Sequence, residues 1–587
     1  MAYQVEAVAA ERPAGLTSTR AAEFGSDHVV DLLRALGYRY LPLNPGSSFR
    51  GLHDSIVNHG GNIAPQLLLC LHEEIAVSLA HGYAKATGAP AVAAVHDLVG
   101  LMHASMAVYD AYVDRVPLVV LGGSGPADPV RRRPIDWVHS ATTQGELVRP
   151  FVKWDDEPAT AAAMVTAVLR AHQVAASAPA GPAYVALDSA SQEAPVGSVP
   201  FPDLGLHAPA PPIAPSDDAI EAAAGLLVDA RLPVVVAGRV GRDPRSTPLL
   251  VELVELLGAA YQDEKNSVAF PTAHPHNCTG VATLLDAADV ALAVDLADPS
   301  GTLRLSPEGD GQRRSAVIDL SCGDLALRSW SNVFAAPVPR DVQLLADPVV
   351  GLAALVAAVR DRAPSRHRDD VAAQVRARAE TLHGRQRDQN AGMSAGSLLT
   401  PGRLVTDTWA AVRDLDWLLV LRNTRSWPEG VWQFTGAGEY LGHSGGGGVG
   451  YGPGAMVGGA LAARDRGQLG VAIIGDGDLL MAAGALWTAA HYGIPMLVVV
   501  NDNRSFYNDE PHQVRVAGRR GRPADNAWIG TRIDEPAVDI AGLARSYGCW
   551  AAGPVTEPHD LAPALERAKR AALDGAVAVV HVHTTRG

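Results

Sequence analysis

Ile474 to Tyr507 reads IGDGDLLMAAGALWTAAHYGIPMLVVVNDNRSFY, and this stretch decides the fold. An apolar strand, Val471 to Ile474, runs into Gly475-Asp476-Gly477. A helix-like segment follows, and a second apolar strand, Met496 to Val500, ends in Asn501-Asp502-Asn503. A parallel strand–helix–strand unit brings the ends of neighbouring strands to one edge of their sheet. The carboxylate of Asp476 is therefore expected close to the side-chain amide of Asn503. A hard cation such as Mg²⁺ takes oxygen ligands and bridges readily to a phosphate. Glycines let backbone N–H groups approach that phosphate, and a helix start favours its negative charge. The unit reads as a site for Mg²⁺ and a diphosphate.

Working outward, apolar strands alternate with Ala-rich helices along the whole chain. Ala91–Val95 and Pro117–Gly122 are expected strands around a helix over Leu101–Asp114. Pro233–Ala237, Val290–Val294 and Ala316–Leu320 follow in the middle, with Trp417–Leu421 ahead of the opening unit. Such alternation implies parallel, doubly wound sheets. At 587 residues the chain exceeds one core, and about three or four domains are expected. Glu193–Asp217 is Pro-rich and suits neither helix nor sheet. Ala363–Pro401 is charged, then rich in Gly and Ser, as a connector with one surface helix. The expected layout is a domain over 1–192, a linker over 193–217, a middle domain over 218–362, a connector over 363–400 and a last domain over 401–587. The fold class is α/β, with three consecutive doubly wound domains and mainly parallel sheets.

A net charge of −15 argues against general binding to nucleic acid or anionic membranes. Cys70, Cys278, Cys322 and Cys549 are scattered without CxxC spacing, as expected of reduced core thiols in a cytoplasmic protein. The first fifteen residues lack an apolar signal core, and no apolar run reaches membrane-spanning length.

GDG followed about thirty residues on by a closing Asn resembles the motif of thiamine diphosphate enzymes. The resemblance makes Asp476 and Asn503 side-chain metal ligands, with the carbonyl of Ser505 a third, and places Gly477 and Asp478 at the diphosphate. Asp478 stands where Ser is common, and an acid there must point away or offer only its N–H. Cys70-Leu71-His72-Glu73-Glu74, with Gly82-Tyr83-Ala84-Lys85-Ala86-Thr87-Gly88, is similar to the family's HE…GYARATG segment. Glu73 matches the acid that bonds the aminopyrimidine and activates the cofactor. Gly445-Gly446-Gly447-Gly448-Val449 matches the loop that bends the cofactor, with Val449 as the wedge and the Gly447 carbonyl accepting from the 4′-amino group. The resemblance covers nearly the whole chain in pyrimidine–middle–diphosphate order. It implies a homodimer or homotetramer with sites at the subunit interface, where Glu73 of one chain serves the cofactor held by Asp476 of another.

Several segments look most like benzoylformate decarboxylase. Asn44-Pro45-Gly46-Ser47 matches its NPGS loop, Val95-His96-Asp97 its LHS, and Ala485–Ala490 its ALWTAA. Ser47 and His96 are thus candidate substrate contacts, one for a carboxylate, the other for acid/base work. Asp97 replaces the family's Ser, and Val294–Asp298 lacks its middle-domain His. Tyr507, Glu510 and His512 follow the metal loop as candidate lid residues. Trp427 and Trp432 line a pocket or simply pack. The implied activity is a carbon–carbon lyase that decarboxylates a small 2-oxo acid to an aldehyde. A carboligase of acetolactate-synthase type and a 2-hydroxyacyl-CoA or acyloin lyase remain open. The last would use Arg239, Arg242 and Arg245 as a basic groove. Gly238-Arg239-Val240-Gly241 is the segment that would take FAD, which some relatives carry.

Overall fold

The computed structural model describes residues 11–13, 21–281, 283–303, 315–326, 339–362, 367–424, 427–442 and 445–586. Most of the chain start read above for a signal core, and 363–366 of the connector, lie outside the described residues. Among the described residues the strands build three sheets, each parallel throughout. The first holds β1 (Tyr40–Leu43), β2 (Gln66–Leu69), β3 (Ala91–Val95), β4 (Leu118–Ser124), β5 (Trp154–Asp156) and β6 (Pro182–Asp188), in the order β2-β1-β3-β4-β6-β5. The second holds β7 (Pro233–Ala237), β8 (Ala260–Asp263), β9 (Val290–Val294), β10 (Ala316–Leu320) and β11 (Val342–Leu344), in the order β11-β10-β9-β7-β8. The third holds β12 (Trp417–Arg422), β13 (Leu469–Gly475), β14 (Met496–Asp502), β15 (Trp550–Val555) and β16 (Val577–His583), in the order β12-β13-β14-β16-β15.

Unbroken apolar runs explain the central strands. Every residue of β7, β9 and β14 is buried, so helices cover both faces. Each Val, Ile or Leu buried this way contributes roughly 1.5–3 kcal/mol. Two expected elements changed. The helix after Gly475-Asp476-Gly477 is two helices, Asp476–Met481 and Gly484–His491, broken at Ala482 (φ −141°, ψ 36°). The break seats Gly484 against Leu71 and Ile75 of the first domain. The connector is one long helix, His367–Ala395, which buries Val371, Val375 and Ala379 on the middle domain. Trp432 is buried among Trp409, Trp417 and Phe434, so it packs as core, and Trp427 leans on it. All four cysteines are buried and free. No described helix is long and apolar enough to cross a membrane.

The outer domains meet through helix Glu73–Thr87 and helix Gly452–Asp465 of the same chain. Their backbones touch because the contact residues are glycines. A Cβ on Gly82 would lie 2.1 Å from the Ala455 carbonyl oxygen, and one on Gly458 would lie 1.9 Å from that of Leu79. A Cβ on Gly454 would meet Ser78 Oγ at 1.9 Å. The Glu73 helix thus packs along the diphosphate domain of its own chain.

Candidate active site

The site grows from the carboxyl edges of two sheets, where parallel folds open their crevices. At the edge of the third sheet, β13 ends in Gly475 and β14 in Asp502. Asp476 is buried, and its Oδ2 has no hydrogen-bond partner among the described residues. Burial and then the neighbouring Asp502 push its pKa up to about 7. An orphaned, buried carboxylate oxygen beside a second acid suits a divalent cation. Asn503 Oδ1 accepts from the Ser505 N–H at 3.0 Å, which folds the loop after β14 over this edge. Its carbonyl has a second lone pair for a ligand. The donor set Asp476, Asn503 and Ser505 therefore fits Mg²⁺.

Asp502, which stands where the family has Asn, is held within the chain. Burial pulls its pKa upward, but the His581 hydrogen bond at 2.7 Å leads the terms that hold it below the usual carboxylate range. Asp478 points away from the diphosphate crevice. Its carboxylate accepts from the Gly450 N–H at 2.6 Å and from Asn423 Nδ2 at 2.5 Å. The unexpected acid thus anchors the Gly-rich loop. Gly447 there takes φ +65°, a conformation that suits glycine, and Val449 is exposed. Gly446 N–H donates to Asp110 Oδ1 at 2.8 Å, so the loop rests on helix Leu98–Val113 of the first domain.

That helix leads to Glu73, the buried first residue of its own helix. His103 Nδ1 lies 3.0 Å from Glu73 Oε2 and stacks on His72 with ring centroids 4.6 Å apart. A Cβ on Gly100 would meet His96 Cβ at 2.9 Å and Glu73 Oε1 at 3.1 Å. Glu73 and His96 therefore flank one small residue. Ser48 hydrogen-bonds His96 Nδ1 at 2.8 Å, while Ser47 lies exposed on an open groove with Arg50 and His53. Asp97 is buried; its Oδ2 accepts from the Ser140 hydroxyl at 3.1 Å, and its Oδ1 lies 3.9 Å from His96 Nδ1.

Sequence reading marked His103 only as a departure from the family's SGPG…N segment and missed Ser48, Asn423 and Asp110. Only the neighbours of these three carried a motif. In the lid, Glu510 is buried, accepts from Ser505 Oγ at 2.6 Å and faces Arg532, so it pins the loop. His512 accepts from Arg515 on the exposed side. Tyr507 lines an open groove with Pro511 and Val514.

The middle-domain segment that would take FAD lines a cavity of about 430 Å³, with Arg242, Glu264, Lys265 and Asp298 on its wall. The strand-end cradle lies between Gly238, after β7, and Ala297-Asp298, after β9. Glu264 fills it: the carboxylate accepts from the Ala297 N–H at 2.8 Å, the Asp298 N–H at 2.9 Å and the Thr302 hydroxyl at 3.0 Å. A diphosphate would need those same N–H groups. Arg239 donates to the Leu296 carbonyl, Arg242 to the Asp114 carbonyl, and Arg245 pairs with Asp243. Each guanidinium is engaged within the chain, and Arg239 and Arg242 line the same cavity as Lys85 and Lys265.

Residues 24–147 match the thiamine pyrophosphate enzyme N-terminal TPP binding domain, and residues 423–582 match the C-terminal TPP binding domain. A benzoylformate decarboxylase of Pseudomonas aeruginosa is 28% identical over 88% of this chain and 94% of its own length. An acetolactate synthase of Bacillus subtilis is 27% identical over 39% of each chain. Among solved structures, the thiamine diphosphate-dependent 4-hydroxybenzoylformate decarboxylase of Rhodococcus jostii RHA1 superposes with a TM-score of 0.73 at 23% identity, over 96% of this chain and 99% of that one, a likeness of fold. With both cofactor-binding domains matched and their strand-edge crevices in place, the chain belongs to the thiamine pyrophosphate enzymes, in the superfamily of benzoylformate decarboxylase and acetolactate synthase.

Proposed function

We propose that the chain is a Mg²⁺- and thiamine diphosphate-dependent carbon–carbon lyase that decarboxylates a 2-oxo acid, benzoylformate-like in character, to an aldehyde. The observation that carries this reading is the placement of Glu73 and His96 on either side of Gly100. It supports a reading in which Glu73 would be the cofactor-activating acid and His96 the imidazole that faces the substrate. Bound thiamine diphosphate would supply the carbanion chemistry. Asp476, Asn503 and the Ser505 carbonyl would hold the metal that clamps its diphosphate, and the Gly447–Val449 loop would set its bend. Glu73 would hold a proton at the aminopyrimidine ring nitrogen. His96, steadied by Ser48, would give or take a proton at the substrate carbon or oxygen. The lid from Phe506 to Arg519, pinned through Glu510, would exclude water.

Glu264 in the middle-domain cradle supports a reading without FAD, and the engaged arginines weaken the acyl-CoA alternative. The chain is expected in the cytoplasm as a homodimer or homotetramer. Exposed Val130, Ile135, Trp137 and Val138 beside the cleft support an assembled state.

The test is C2-proton exchange of bound thiamine diphosphate with Mg²⁺, followed by a panel of 2-oxo acids monitored for CO₂ and aldehyde. Exchange with CO₂ and free aldehyde is expected. Acetohydroxy acids or acyloins in place of aldehyde would move the assignment to a carboligase, and no cofactor binding would overturn it. Mixing Glu73→Gln with Asp476→Ala subunits tests the assembly. Restored turnover places the working pair across subunits, and none keeps it within one chain.

A further inference from the structure

His96 is not alone at the end of β3. The short helix Asp136–His139 brings a second imidazole edge-on to it, with ring centroids 4.9 Å apart and planes at 73°. This segment is anchored on both sides of His139. Asp136 accepts from the Arg133 N–H at 2.7 Å and pairs with the Arg133 guanidinium at 2.7 Å. Ser140 Oγ donates to Asp97 Oδ2 at 3.1 Å and accepts from the Gly125 N–H at 3.2 Å. The two rings are therefore held face to edge by the fold.

The His96 side chain is 15% exposed, bonded to Ser48, with Asp97 Oδ1 3.9 Å away. His139 is half-buried like His96. The titratable and charged groups that face His96 are Asp97, His139, Glu73 and Arg133. Burial, then His139 and Arg133, hold His96 below the usual imidazole range, against the pull of Asp97 and Glu73. Two imidazolium rings this close repel, so a positive charge at position 139 disfavours a proton on His96.

We propose that His139 is a positioning residue that keeps His96 neutral, so that His96 can accept a proton at the substrate during turnover. The inference rests on the reading of His96 as an acid/base group. Its sign is fixed. Removing the imidazole at position 139 raises the His96 pKa, lowers its neutral fraction at a given pH and moves the acid limb of the pH–rate profile upward. A permanent cation there does the reverse.

The experiment compares wild type, His139→Phe and His139→Lys as full-length protein loaded with thiamine diphosphate and Mg²⁺. One readout is the pH profile of kcat with the best substrate of the 2-oxo acid panel. The other is the pKa of His96 itself, from deuterium exchange at its imidazole Cε1 read by peptide mass spectrometry. The Phe variant keeps a packed ring and is expected to raise the limb and the His96 pKa by about half to one unit; the Lys variant is expected to lower both by a similar amount. An unmoved His96 pKa in both variants, or shifts in the same direction, would overturn the inference. Should wild type show no C2-proton exchange, the functional reading falls, while the His96 pKa in the three proteins still decides the pairing.

Discussion

Two crevices of this molecule are built alike and filled differently. Each opens at the carboxyl edge of a parallel five-stranded sheet, with glycine after one strand and a polar turn after its neighbour. At the edge of the third sheet the buried oxygen of Asp476 lacks a partner among the described residues. At the edge of the second, Glu264 turns its own carboxylate into the backbone N–H groups that an anion would use. The architecture supplies a crevice in both places. Side chains decide whether it is left open for a ligand or closed by the chain. A Gly-rich turn after a strand is therefore weak grounds for a cofactor until its N–H groups are known to be free.

The comparison is open to attack, and the largest effect is expected at Asp476. Asp476→Ala should weaken Mg²⁺-dependent cofactor retention by on the order of 100-fold or more, measured by equilibrium dialysis. Retention like that of wild type would mean that this crevice is not the open one. Glu73→Gln separates binding from activation. It should keep the cofactor while C2-proton exchange slows by about 10²–10⁴-fold, and unchanged exchange would remove Glu73 from its role. Glu264→Ala should leave retention alone but orphan the Ala297 and Asp298 N–H groups. The expected cost is about 1–3 kcal/mol in the unfolding transition of the middle domain, followed by calorimetry. Loss of thiamine diphosphate in that variant would show that the two crevices are coupled. The smallest effect belongs to Asp478→Asn, which weakens the anchor at Gly450 and Asn423. Cofactor affinity should drop by about 1 kcal/mol, roughly five-fold, with kcat nearly unchanged. A fall in kcat alone would assign Asp478 to the chemistry.

The open crevice was readable in the sequence because its parts sit in one local unit. Asp476 and Asn503 close a single strand–helix–strand turn, and spacing alone places them on one edge. Several buried strands were equally clear: β3, β7, β9 and β10 match the expected ranges residue for residue, whereas the similarly buried β6 and β16 were not named. The short strands β8 and β11, at the two edges of the second sheet, were missed because Ala260–Asp263 and Val342–Leu344 carry polar residues and no apolar run. The helix break at Ala482 went unseen because contacts with Leu71 and Ile75 seat it, two residues remote in the chain. Ser48 escaped for a similar reason. Ser47 carried the familiar tetrapeptide, yet the hydroxyl that reaches His96 is one residue further on, where the turn Ser47–Phe49 aims it inward. Asp478 was legible as an oddity, but its partners Gly450 and Asn423 are 28 and 55 residues away.

The glycine contact between helices Glu73–Thr87 and Gly452–Asp465 has a consequence for anyone who wishes to retarget this enzyme. With carbonyl oxygens about 2 Å from where a methyl would stand, Gly82 and Gly458 admit no larger residue without parting the two outer domains. A directed-evolution library that randomises this seam would return mostly dead clones.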